Sequence, residues 1–196
     1  MNDSSTGGYL APAVDARLVE DDTLDDLVHG LITGVTGLPG NLVRPRWQPS
    51  VAQQPDPSVD WCALGIQEQE VDASPAIQHD GIIDGHDTYI RHQRFDALCT
   101  FYGPHAKGYA QRLADGLAIP QNREQLQLQD MALVGVGAIR AVPDLVNQQW
   151  VRRYDITITL RRKITRTYAV LNLKSATVAT TMDSSTLMAG VSNINS

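Results

Sequence analysis

Residues 150–173 read WVRRYDITITLRRKITRTYAVLNL, and they constrain the fold more than any other stretch of the chain. Tyr154, Ile156, Ile158 and Leu160 alternate with Asp155, Thr157, Thr159 and Arg161. This is a period of two in β-branched and aromatic residues, uninterrupted by Gly or Pro. After Arg162-Lys163 a second alternation sets Ile164, Arg166, Tyr168 and Val170 against Thr165, Thr167 and Ala169. An ordinary strand holds about five or six residues. The run is therefore expected to bend or break at 161–163, either as a hairpin or as a long strand with a bulge. Counted through Lys174, it also contains seven of the chain's 16 Lys and Arg residues and one acid, Asp155.

The formal charge of -6 hides this asymmetry. Residues 1–26 carry seven acids (Asp3, Asp15, Glu20, Asp21, Asp22, Asp25 and Asp26) against Arg17, so the remainder is neutral with fifteen charges of each sign. A general nucleic-acid binder needs a broad positive field, which this distribution does not supply. A chain of 196 residues is enough for one domain with a substantial core. No basic segment leads into an apolar run at the start, and no run approaches a membrane span, so neither a signal peptide nor a membrane partner is expected. Cys62 and Cys99 are too few for a disulfide scaffold and read as buried thiols, with a single bridge as the alternative.

The other elements follow in order. Residues 1–20 read as a flexible acidic N-terminal arm, 21–183 as a single domain and 184–196 as a flexible C-terminal tail. Thr23 is placed to cap a helix whose apolar stripe is Leu24, Leu27, Val28, Leu31 and Ile32, ending at Pro39-Gly40. Residues 42–47 suit an edge strand and 60–66 a strand, with a polar turn at 67–74 and a short strand at 76–79. Alternation returns over 87–102, where the apolar face is clean only after Phe95. A helix is predicted over 104–117, a weaker helical turn at 121–126, a buried strand at 131–139, a short helix or turn at 144–149 and a β-prone run at 175–181. This is an α+β fold: a central, mostly antiparallel sheet with two main flanking helices.

Catalytic signals are weak. His79, Asp80, Asp84, His86, Asp87 and His92 gather imidazoles and carboxylates that can bind metal or move protons, but their spacing matches no metal pattern. A solvated contact loop is the better account. Gly135 and Gly137 form a lone GxG without the rest of a phosphate loop. No catalytic residue, cofactor or metal site is assigned. Trp47, Trp61 and Trp150 read as core or edge-of-core anchors.

Several phrases resemble a known family: PRWQP at 45–49, DWCALGI at 60–66, RFDALCTFYGPHA at 94–106, LADGLAIPQNRE at 113–124, VPDLVNQQWVRRYDITITLRR at 142–162 and RTYAVLNLKSA at 166–176. Together they are similar to the neck or tail terminator proteins of tailed phages and prophages. The resemblance implies a non-enzymatic virion protein, assembled in the host cytoplasm, that forms a hexameric ring ending the tail. Its partners would be tail-tube and head-completion or connector proteins, with non-specific DNA contact in a central channel. Arg152, Arg153, Arg161, Arg162, Lys163 and Arg166 are then candidates for assembly or channel-facing positions. On this reading, reversing the charge at 161–163 should spare monomer folding. The alternatives are a tail-tube or tail-completion protein and, behind it, a small metal-dependent enzyme using the 79–92 loop.

Overall fold

A computed structural model of the chain describes residues 2–13, 19–48, 53–146, 148–173, 175–179 and 191–195. Contacts cluster into two compact units, one comprising Asp15–Ala76 with Ile90–Thr165 and the other Met1–Val14, Ile77–Tyr89 and Arg166–Ser196.

The first helix, α1, spans Asp22–Thr36 and buries Leu24, Val28, Leu31 and Ile32 along one stripe, as the spacing requires. Asp22 and Asp25 lie in its first turn, where the exposed backbone N–H groups favour negative charge. Thr23 does not act as the cap; its hydroxyl turns back to donate to the Glu20 carbonyl at 2.5 Å, and Asp21 takes the N-cap position. Gly37 ends the helix in the left-handed conformation, φ 75°, donating to the Thr33 carbonyl.

The strands follow as β1 (Val43–Pro45), β2 (Trp61–Val71), β3 (Ala76–Asp80) and β4 (His86–Tyr102). Then come α2 (Ala106–Ala118), the short α3 (Glu124–Gln127), and β5 (Met131–Val136), β6 (Arg140–Ala141), β7 (Asp144–Val146), β8 (Gln149–Val151) and β9 (Arg153–Tyr168). The principal sheet is ordered β1-β2-β4-β9-β5, with β3 beside β4 and β6 beside β9. β1 runs parallel to β2, whereas β2 with β4, and β5 and β6 with β9, are antiparallel. The expected α+β class, with a mostly antiparallel sheet and flanking helices, is the observed one.

Four local expectations give way. β9 is one strand without a hairpin: Ile156, Ile158, Leu160, Arg162 and Ile164 are all buried, so the alternation keeps phase through 161–163. The irregularity lies in its partner instead, between Leu133 and Gly135 of β5. β2 continues past 66 because Glu68, Gln69, Glu70 and Val71 still pair with Asp96, Phe95, Arg94 and Gln93 of β4, although their side chains face water. Their polarity imitates a turn. β7 and β8 pair antiparallel where a helix or turn was expected, with Gln148 at φ 64°. β5 is not a buried strand; it lies at the end of the sheet order, burying Met131 and exposing Val134.

One apolar cluster joins α1 and α2 to one face of the sheet, through Cys62 and Leu64, Phe95, Ala97, Cys99 and Phe101, and Ile156, Ile158 and Leu160. The helices approach closely at Gly116, where an added Cβ would run into Val35. Gly30 and Gly34 of α1, by contrast, adjoin open space. Cys62 and Cys99 are both buried free thiols, and burial, reinforced by the neighbouring Cys99, pushes the Cys62 thiol up from its usual range. On the other face Trp61 stacks on its cross-strand partner Tyr102, centroids 4.4 Å apart.

In the second unit the N-terminal arm is tied by hydrogen bonds from Ser4 N–H to the Ala169 carbonyl (3.0 Å) and from Ala13 N–H to the Thr167 carbonyl (2.8 Å). The hydroxyl of Ser4 also accepts from Leu171 N–H at 2.7 Å. β10 (Ser175–Ala179) pairs antiparallel with β11 (Val191–Asn195), which lies in the segment expected to be a loose tail. Residues 184–190 and 196 of that tail lie outside the described residues.

Candidate functional site

The candidate basic residues differ in burial and in partners. Arg162, 5% exposed, sits on the core side of β9. Its Nε donates to Gln93 Oε1 at 2.8 Å, its Nη1 to the Val19 carbonyl, and its guanidinium lies over Phe95. Gln93 in turn donates to Gln69 Oε1 at 3.0 Å, which extends the polar chain across β9, β4 and β2. Such a network fixes register, because a shift by one residue would bury Arg161 or Lys163 and leave Gln93 without its donor. The burial and bonding of Arg162 argue against the expectation that charge reversal at 161–163 spares folding.

Its neighbours point the other way. Arg161 is exposed and donates to Asp72 Oδ2 at 2.8 Å, and His92 lies 3.8 Å from the same oxygen. The Lys163 side chain is exposed, while its backbone N–H bonds the Asp130 carbonyl. Arg152 is exposed and donates to the Pro104 carbonyl at 3.0 Å. Arg153 is a half-buried bidentate partner of Asp155, at 3.0 and 2.8 Å, and this hydrogen bonding raises its pKa. Arg166 is half-buried and belongs to the second unit.

The histidine and aspartate candidates divide in the same way. His79, Asp80, Asp84, His86 and Asp87 lie in the second unit and His92 in the first. His79 Nδ1 is 2.6 Å from Asp87 Oδ1, and Nε2 is 2.8 Å from Asn172 Oδ1. His86 is 3.9 Å from Asp80, whose Oδ1 accepts the Ile82 N–H. Among the described residues no three His, Cys, Asp or Glu side chains are grouped so as to hold a metal ion.

Two open clefts flank Trp47, of about 390 and about 460 Å³. The first is lined by both signs of charge, including Asp21, Asp25, Arg46 and Arg162, and the second by Arg44, Trp61 and Tyr102. Among the described residues neither offers a His, Cys, Ser or Thr that could act as nucleophile or base.

The family described as phage neck terminator protein matches this chain over residues 22–184. The chain belongs to the phage neck terminator protein family. The match begins at the first residue of α1 and takes in every strand of the main sheet. Comparison with curated proteins gives no match. Membership makes the chain a structural protein of the phage neck or tail, hence a virion component, and argues against catalysis.

Some large apolar side chains expected in or beside the core are instead exposed. Trp150, 72% exposed, and Leu145, 55% exposed, are directly paired across the β7–β8 hairpin. Val142 just before the hairpin is also exposed. Trp47 is 64% exposed and lies over Gly65, where an added Cβ would come 2.7 Å from the ring. Two of the three tryptophans are thus surface residues, and only Trp61 is packed as expected. The available signal was position: Trp150 precedes a β9 parity already filled by Tyr154, Ile156 and Ile158, and needs no place in that core.

Proposed function

We propose that this neck terminator assembles as a closed ring, hexameric in the simplest case, that ends the tail and joins it to head-completion or connector proteins. The ring would surround a channel for the genome and form in the host cytoplasm before entering the virion. The supporting observation is the Leu145–Trp150 pair: two large apolar side chains directly opposite each other on β7 and β8 are 55% and 72% exposed on the protomer. Exposed aromatic anchors grouped with other apolar side chains are characteristic of assembly surfaces. Arg161 and Lys163, exposed on β9, would be available in such a ring to meet DNA or an acidic neighbour.

Mass measurement and electron microscopy of the purified chain test this reading. Closed rings support it, and long tubes would transfer the assignment to a tube protein. A protein that stays monomeric at high concentration would refute assembly through its own surface.

A further inference from the structure

Asn172 occupies a cradle made by the turn after β3. Its side-chain Nδ2 donates to the Gly81 carbonyl at 2.8 Å, and its backbone N–H to the Asp84 carbonyl at 2.8 Å. Gly85, at φ 88°, closes so tightly over it that a Cβ would lie 2.5 Å from Oδ1. With Nδ2 committed to Gly81, the oxygen of Asn172 must face His79 Nε2, so that ring nitrogen has to donate. The other ring nitrogen faces the Asp87 carboxylate at 2.6 Å and also has to donate. A neutral imidazole carries one N–H and can satisfy only one of these acceptors. The arrangement selects the imidazolium.

The loop so held is not relaxed. Ile83 has φ 60°, a conformation that a β-branched residue adopts only under constraint. Ile82 and Ile83 are both exposed at the tip, Ile83 at 86%. We propose that protonated His79 is a latch that holds the 81–85 loop closed on Asn172, and that loss of its proton frees this apolar tip. The latch concerns only residues of the second unit and does not depend on what the ring joins.

The surrounding charges favour the closed form at low pH. Asp87 on β4 and Asp80 beside His79 on β3 are the carboxylates that act on the ring. His86 lies 3.9 Å from Asp80, Asp84 sits in the loop itself, and the 169–173 segment presents the neutral Asn172. The hydrogen bonds to Asp87 and then Asn172 raise the His79 pKa above its ordinary 6.5. A raised folded-state value means that the latch is fully engaged below the ordinary value and is lost as pH rises through the raised one.

Hydrogen exchange by mass spectrometry on the full chain reads both halves of the claim. Exchange at the histidine C2 position gives the His79 titration, and backbone exchange reports the Asn172 and Gly85 amides after correction for intrinsic rates. His79 is expected to titrate above the ordinary imidazole value, and amide protection to fall severalfold between about pH 5.5 and about pH 9 with the same midpoint. Asp87→Asn should move that midpoint down, and His79→Gln should abolish the pH dependence. A His79 that titrates at or below the ordinary value would overturn the latch. Protection that stays flat across the titration, or a midpoint that ignores Asp87→Asn, would do the same.

Discussion

Charge reversal along β9 should divide three adjacent cations into one folding residue and two surface residues. Arg162→Glu replaces a guanidinium that donates to Gln93 Oε1 and the Val19 carbonyl with a carboxylate facing the same two acceptors. Charge-assisted hydrogen bonds contribute about 1.5–3 kcal/mol each, and a buried carboxylate left facing two oxygen acceptors adds a desolvation cost to the loss of both bonds. An expected loss of at least about 4 kcal/mol is a large part of the roughly 5–15 kcal/mol that holds an ordinary domain. For a chain of this size it corresponds to a fall of about 8–16 °C in Tm. Arg161→Glu exchanges an exposed pair with Asp72 for an exposed like-charge contact, and at this solvent-screened site about 0–1 kcal/mol is expected. Lys163→Glu should stay within about 0.5 kcal/mol.

The measurement is thermal and urea unfolding of the three single variants at one protomer concentration, since assembly would otherwise shift the midpoints. Arg162→Met adds a control: it keeps an apolar stem against Phe95 and introduces no carboxylate, so it should fall between Arg162→Glu and the parent. An Arg162→Glu protein within about 1 kcal/mol of the parent would refute the burial argument, as would a Lys163→Glu protein equally damaged. A triple reversal at 161–163 says nothing about a channel, because its assembly defect would be confounded with unfolding. The Arg161→Glu, Lys163→Glu double variant is the proper probe of DNA or partner contact.

Trp150→Ala should leave protomer stability within about 1 kcal/mol, because the side chain is mostly in water, while shifting the oligomer distribution by size exclusion toward smaller species. Gly85→Ala should cost about 1–2 kcal/mol and raise exchange at Asn172, since it meets both a left-handed φ and a filled cradle. Native-state alkylation of Cys62 should be slow and change little up to about pH 8.5, because burial raises its thiol pKa and denies access to the reagent; rapid labelling without unfolding would contradict it.

What the sequence disclosed, it disclosed through periodicity. The α1 stripe and the β4 alternation that becomes clean after Phe95 are each imposed by one buried face, and each is seen in the structure. Arg162 was misread because a charge in an apolar parity resembles a break. Its burial depends on Gln93 and Val19, which lie 69 and 143 residues away and have no local signature. Glu68 to Val71 were misread for the opposite reason: backbone pairing with β4 sustains a strand whose side chains are wet on both sides. The His79–Asp87–Asn172 contact joins β3, β4 and a segment 93 residues further on, so the histidine cluster was legible but its geometry was not.

The exposed hairpin also bounds what the proposed ring contact must contain. Trp150 offers on the order of 150 Å² of removable surface, about 4 kcal/mol at about 25 cal/mol per Å². Association itself costs roughly 4–15 kcal/mol, so one tryptophan cannot hold two protomers together. A stable contact needs on the order of 1,000 Å² or more in total, and Leu145 and Val142 extend the apolar centre without reaching that area. The remainder must be polar rim, for which the exposed Arg152 and Lys163 are candidates in the first unit. A contact of this composition should weaken measurably with salt while surviving it. Rings that dissociated completely on moderate salt would show that charge, and not the Trp150 hairpin, carries the assembly.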